Sequence, residues 1–95
     1  MTETHRLKTL PQFFDAVQRG DKRFDVRRND RQFQRGDIVI LQYFHPKDGY
    51  ARGPDMKMKE MRFRVGWTLH GPAFGVEAGY CVFSLEPIES SECKA

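Results

Sequence analysis

The sequence predicts a mainly β (α+β) domain, a small barrel with one N-terminal helix packed on it. Three observations lead there. A single stretch near the N-terminus has helical periodicity, and the rest alternates with period two. Turn-forming residues recur every ten or so positions. The chain has only 95 residues, enough for one domain and one small core. Closing such a sheet removes the exposed edges that promote aggregation.

Residues 4–8, THRLK, read as a short first strand. TLPQFFDAVQRG reads as a helix, with Thr9 as its cap, Gln12 three residues on and Pro11 in the first turn. Leu10, Phe13, Phe14 and Val17 form one apolar stripe, and Gly20 ends the helix. From Lys22 the period changes to two. Phe24 and Val26 are expected to face the core, with Arg23, Asp25 and Arg27 on the other side.

RNDRQFQRGD reads as a loop in which Asn29 and Asp30 form turns and Gly36-Asp37 leads into the next strand. Residues 37–44, DIVILQYF, read as a strand buried on both sides at its start. Asp48-Gly49 marks a reversal, and ARGPDMK a flexible connection. In EMRFRVGWTL, the residues Met61, Phe63, Val65, Trp67 and Leu69 alternate onto one face, with Gly66 marking a bulge or bend. A Gly-rich loop, HGPAFGVEAG, precedes the final buried strand YCVFSLEPI. The domain is expected to span 1–88, with a disordered tail at 89–95.

Composition narrows the function classes. No apolar run approaches the roughly 20 residues of a membrane span, and MTETHRLKTL lacks an apolar signal region, so a cytoplasmic protein is expected. Cys81 and Cys93 do not make a disulfide framework. His5, His45 and His70 lack ligand spacing and read as surface or turn residues, so neither metal nor cofactor is expected. The glycines at 71, 75 and 79 do not precede a helix, so no phosphate loop is read. No Ser/His/Asp triad is legible, with Ser84 in a buried strand and Ser90 and Ser91 in the tail.

The net charge is only +3, but it is unevenly placed. Residues 19–35 carry seven basic side chains against three acidic ones, and residues 52–64 five against two. A positive face suits a polyanion. Arg23 and Arg27 lie on one strand, Arg62 and Arg64 on another, and the four guanidiniums would converge if those strands were neighbours. Arginine matches phosphate oxygens with a planar fork of donors. Asp25 would hold the arginines in position or accept a hydrogen bond from a base. Tyr43, Tyr50 and Tyr80 offer stacking surfaces for unpaired bases.

GDKRFDVR resembles the G-x-K-x-x-E-x-R motif of ASCH domains, members of the PUA-like superfamily of small β-barrels. Gly20, Lys22 and Arg27 match, and Asp25 stands where the motif has Glu. RRNDRQFQRGDIVILQYF, the DGY turn and GYCVFSLEPI extend the resemblance over roughly residues 5–87. It implies a PUA-like barrel whose cleft, lined by Lys22, Asp25 and Arg27, binds RNA or a nucleotide, with Gly20 turning the chain into the strand. Pure alternation separates Lys22 from Asp25 and Arg27, so a turn or bulge near Lys22 is expected.

The leading expectation is a monomer that binds RNA, single-stranded or structured. Lys22, Arg23, Arg27, Arg28, Arg31, Arg62 and Arg64 capture the backbone, Asp25 and Asn29 contact base edges, and Tyr50 stacks. Gly20, Gly36 and Asp37 are structural. An alternative is a small amidohydrolase or ribonuclease using Lys22 and Asp25 as an acid–base pair, with Lys22 tuned by crowded cations. The amidohydrolases of the resembled family carry a Thr at the position of Asp25, and a carboxylate is a poor substitute for an activated hydroxyl. A third reading is a basic face that docks an acidic protein.

Overall fold

The computed structural model describes residues 2–52 and 57–88. Its elements are β1 (Thr4–Thr9), α1 (Pro11–Arg19), β2 (Phe24–Arg28), β3 (Ile38–His45), β4 (Gly49–Tyr50), β5 (Glu60–His70) and β6 (Tyr80–Pro87). The tail expected at 89–95, with Cys93, lies outside the described residues, as does the middle of the ARGPDMK connection.

The strands run in the order β1-β3-β5-β6-β2, with β4 paired to β3 alone. β1 is parallel to β3, and the other pairs are antiparallel. A parallel pair needs a long crossover, and here the crossover holds α1, β2 and the loop after it. The helix packs on β3, with Phe14 meeting Tyr43 edge to face at 5.3 Å.

The helix begins differently from expectation. Leu10 is its N-cap and provides no side-chain cap. Thr9 instead ends β1, buried, with its hydroxyl donating to the Leu7 carbonyl at 3.2 Å. Pro11 occupies the first turn, where a missing N–H costs nothing. Gly20 ends the helix in the left-handed conformation at φ 87°. Phe14 and Val17 of the apolar stripe are buried, while Phe13 is exposed.

The core lies between α1 and one face of the sheet. Leu7, Val39, Leu41, Val65, Cys81, Phe83 and Leu85 come from the strands, and Phe33 comes from the loop after β2. Asp37 holds that loop in place. Its carboxylate accepts the Glu3 N–H at 3.1 Å, the Gln34 N–H at 3.1 Å and the His5 Nε2–H at 2.9 Å. His5 is therefore a buried anchor rather than a surface residue, and it also packs edge-on against Phe33 at 4.8 Å.

Two strands are turned relative to the expectation. Asp25 pairs with Phe83 and Arg27 with Cys81. Directly paired residues share a face, and Phe83 and Cys81 point into the core. Asp25 is consequently 6% exposed, while Phe24 and Val26 lie outside at 46% and 50%. Alternation reports which residues share a face, but the neighbouring strand decides which face is buried. In β5, the bulge flagged by Gly66 falls between Val65 and Thr68. Val65 stays in the core, and Trp67 emerges 63% exposed instead of joining it.

The sheet is not closed. Its order ends on β1 and β2, and no ladder joins them. Side chains bridge the two edges instead. Arg27 Nη1 donates to the Lys8 carbonyl at 3.0 Å, Arg27 Nη2 to Thr9 Oγ1 at 3.2 Å, and Arg31 Nη1 to the Arg6 carbonyl at 2.9 Å.

Candidate functional site

The site sits at this open seam, and three motif residues build it. Lys22 lies before β2, in the turn that ends α1, where its N–H bonds the Ala16 carbonyl at 3.1 Å. From there its side chain reaches the strand. Lys22 Nζ donates to Asp25 Oδ1 at 3.1 Å and to the Phe24 carbonyl at 2.8 Å. Arg27 Nε donates to Asp25 Oδ2 at 2.8 Å, and the Val26 N–H donates to Asp25 Oδ1 at 3.2 Å. A helix-ending turn thus unites Lys22 with Asp25 and Arg27.

The cluster has a structural duty. Phe24 C=O and Val26 N–H belong to the edge strand, and Lys22 and Asp25 satisfy them. Burying a carboxylate is costly unless it is paired and hydrogen-bonded, and two cations and an amide meet that need. Capacity is nevertheless left over. An ionised carboxylate offers about four acceptor positions, and an ammonium three donors. Among the described residues, Asp25 Oδ2 retains one acceptor position and Lys22 one N–H. The ammonium also lies 5.0 Å from the Phe24 ring centroid and 5.6 Å from that of Phe13. Asp25 reaches one further group, Cys81. Burial, and then the Asp25 charge, push its thiol above the usual range, which keeps it protonated and a poor nucleophile.

Two clefts open here. The first, about 460 Å³, is lined by Lys8, Thr9, Leu10, Phe13, Lys22, Phe24, Asp25, Val26 and Arg27. Its walls are largely apolar, with the carboxylate and two cations converging. The second, about 520 Å³, is strongly basic, with Arg6, Lys8, Arg27, Arg28 and Arg31 beside Asp30, Gln42 and Tyr50. Lys8 and Arg27 line both.

The remaining expected residues divide. Arg28, Arg31 and Tyr50 face the second cleft. Arg23 turns back, with Nε bonding the Gly20 carbonyl at 3.1 Å. Asn29 is committed to its loop, where Oδ1 accepts the Phe33 N–H at 3.1 Å and Nδ2 lies 3.4 Å from His70 Nδ1. Arg62 and Arg64 do not converge on the site. β6 separates β5 from β2, and both arginines are exposed on the face away from Phe63 and Val65. Lys8, Thr9 and Phe13 were not singled out from the sequence. Thr9 and Phe13 read there as a cap and a core residue, and Lys8 carried no signal. Among the described residues, no group of three or more His, Cys, Asp or Glu is placed to hold a metal ion, and no helix is long and apolar enough to cross a membrane.

A family model described as a domain of unknown function, DUF3850, matches residues 4–85. The chain belongs to the DUF3850 family. The match takes in β1 to most of β6, so both clefts fall within the DUF3850 region. The chain is also similar to an uncharacterised 12.9 kDa protein in the GpA 3′ region of Escherichia phage P2. The two are 42% identical over 41 residues, a stretch covering 43% of this chain and only 38% of the phage protein.

Proposed function

We propose that this DUF3850 chain is an RNA-binding domain. The first cleft takes a base, and the basic cleft beside it takes the phosphates of the same strand. The observation that carries this reading is that Lys8 and Arg27 line both clefts. An apolar pocket with a carboxylate acceptor and an ammonium donor suits an unstacked base, whose polar edge needs both. Arginines grouped next to it suit the backbone. We read the open sheet as a PUA-like fold with an ASCH-type motif. The meeting of Lys22, Asp25 and Arg27 in one cleft and the single helix on a mainly β domain support this. A cytoplasmic setting agrees with Cys81 being a buried free thiol.

Amide shifts of labelled protein titrated with a short single-stranded RNA test the reading. Shifts are expected at residues 8–10, 22–31 and 50, but not at 60–64. Shifts that are absent, or spread over every exposed cation, would overturn it. Cleavage of the RNA during the titration, lost in Lys22→Ala, would replace a binding module with an enzyme.

A further inference from the structure

Phe24 belongs to two concavities. It lines the first cleft, and it also walls a shallow apolar groove of about 250 Å³ with Trp67, Leu69, Val82, Phe83 and Ser84. Both aromatic residues are outside for identifiable reasons. The pairing of β2 with β6 turns Phe24 out, and the β5 bulge turns Trp67 out. A small domain rarely exposes neighbouring large apolar side chains without a use for them.

The surroundings indicate the occupant. Lys22 Nζ lies 5.0 Å from the Phe24 ring centroid, and Arg28 lies 5.9 Å from that of Tyr80 on the same outer face of β2 and β6. An exposed ring (Phe24) and a half-buried one (Tyr80), each with a cation beside it, suit a ligand that is itself flat, aromatic and anionic. β2 and β5 are next-nearest strands, about 10 Å apart at normal sheet spacing, which a flexible strand of nucleotides bridges.

We propose that single-stranded RNA leaving the cleft crosses this face, with one base stacking on Phe24 and a following base on Trp67. The inference rests on the RNA reading and extends its site beyond the cleft. Stacking of this kind tolerates any base, because every base has a π-face.

Trp67 is the only tryptophan in the chain, so its emission reports directly. The experiment compares a dinucleotide with an octanucleotide of single-stranded RNA, following Trp emission in the parent chain and, by the anisotropy of dye-labelled RNA, affinity for both the parent chain and Trp67→Leu. The variant's fold is checked by circular dichroism. The octanucleotide is expected to quench the emission, and Trp67→Leu to weaken its binding about tenfold through the loss of one stacked base. The dinucleotide is expected to bind both proteins equally. Octanucleotide binding with amide shifts at Lys22 and Arg27, but with unchanged emission and no loss in Trp67→Leu, would overturn the stacking path and leave the RNA reading intact. No binding of either length would overturn both. Emission that depends on protein concentration without RNA would assign the face to self-association instead, and would overturn the inference.

Discussion

Arg27 Nη1 donates to the carbonyl oxygen of Lys8 at 3.0 Å, joining two edge strands that share no ladder. The same guanidinium holds Thr9 and the buried Asp25 carboxylate. One side chain therefore takes part in the seam, the site and the stability.

Arg27→Ala is expected to cost about 2 kcal/mol, in the range for a hydrogen-bonded charged group whose partner stays buried. For a domain of this size that lowers Tm by roughly 10 °C. Arg27→Lys should fall between, since one ammonium cannot fork to three acceptors. Arg23→Ala, whose partner is the exposed Gly20 carbonyl, should change stability by less than about 0.5 kcal/mol. Urea denaturation of the three variants checks the order.

RNA affinity should fall with salt, and its slope should depend on which arginine is removed. Arg28→Ala and Arg31→Ala, in the basic cleft, should each lower the magnitude of the log–log slope by about 0.7, the value expected per phosphate contact on a single strand. Arg62→Ala and Arg64→Ala should leave it unchanged. Titrations at three or four salt concentrations measure it, and equal effects from all four variants would contradict the site.

Acid should weaken the fold through Asp37. Burial alone would raise its pKa. The hydrogen bond from His5, the Gln34 and Glu3 amides and the His5 charge outweigh that and hold it below the ordinary value. The unfolded chain therefore takes up this proton at higher pH than the folded one. The stabilisation is complete above about pH 4, the ordinary aspartate value. It is lost as pH falls through the lower folded-state value. Urea midpoints for the parent and Asp37→Asn should differ most near neutral pH and draw together below about pH 4.

Gly71→Ala should be costlier than Gly66→Ala. A methyl group at Gly71 would run into the backbone carbonyls of Val76 and Glu77, which cannot rotate away. At Gly66 it would meet the Ser84 hydroxyl and the Glu86 carboxylate, which can move in part. Overpacking of the first kind costs about 1–3 kcal/mol. Thermal melts of the two variants compare them.

Much of this architecture was legible from residues alone. The helix, its Gly20 terminator, the Asp48-Gly49 reversal and the β5 bulge at Gly66 all carry local signals that the fold obeys. The meeting of Lys22 with Asp25 and Arg27 was not legible in alternation, which separates Lys22 from the other two; the resemblance to the ASCH motif implied it, through a turn or bulge near Lys22. The facing of β2 was not legible either. Phe24 and Val26 look like core residues until β6 is known to present Cys81 and Phe83 to the same side as Asp25 and Arg27. The grouping of Arg62 and Arg64 with the site failed for a related reason, since strand order leaves no trace in periodicity. The His5–Asp37 anchor joins residues 32 positions apart, and neither marks the other locally.

The seam described above makes the molecule unequal in stiffness. Along the strands, and across every paired strand, deformation must break ladder hydrogen bonds in numbers. Between β1 on one side and β2 with the loop after it on the other, no ladder runs, and three hydrogen bonds from two arginines together with the packing of Phe33 on His5 join the two sides. Fewer backbone hydrogen bonds oppose a change in the spacing of β1 and β2 than in that of the long ladders, and that spacing sets the width of the clefts. A ligand that enters between the two edges exchanges those arginine contacts for its own, so two side chains set part of the cost of admitting it.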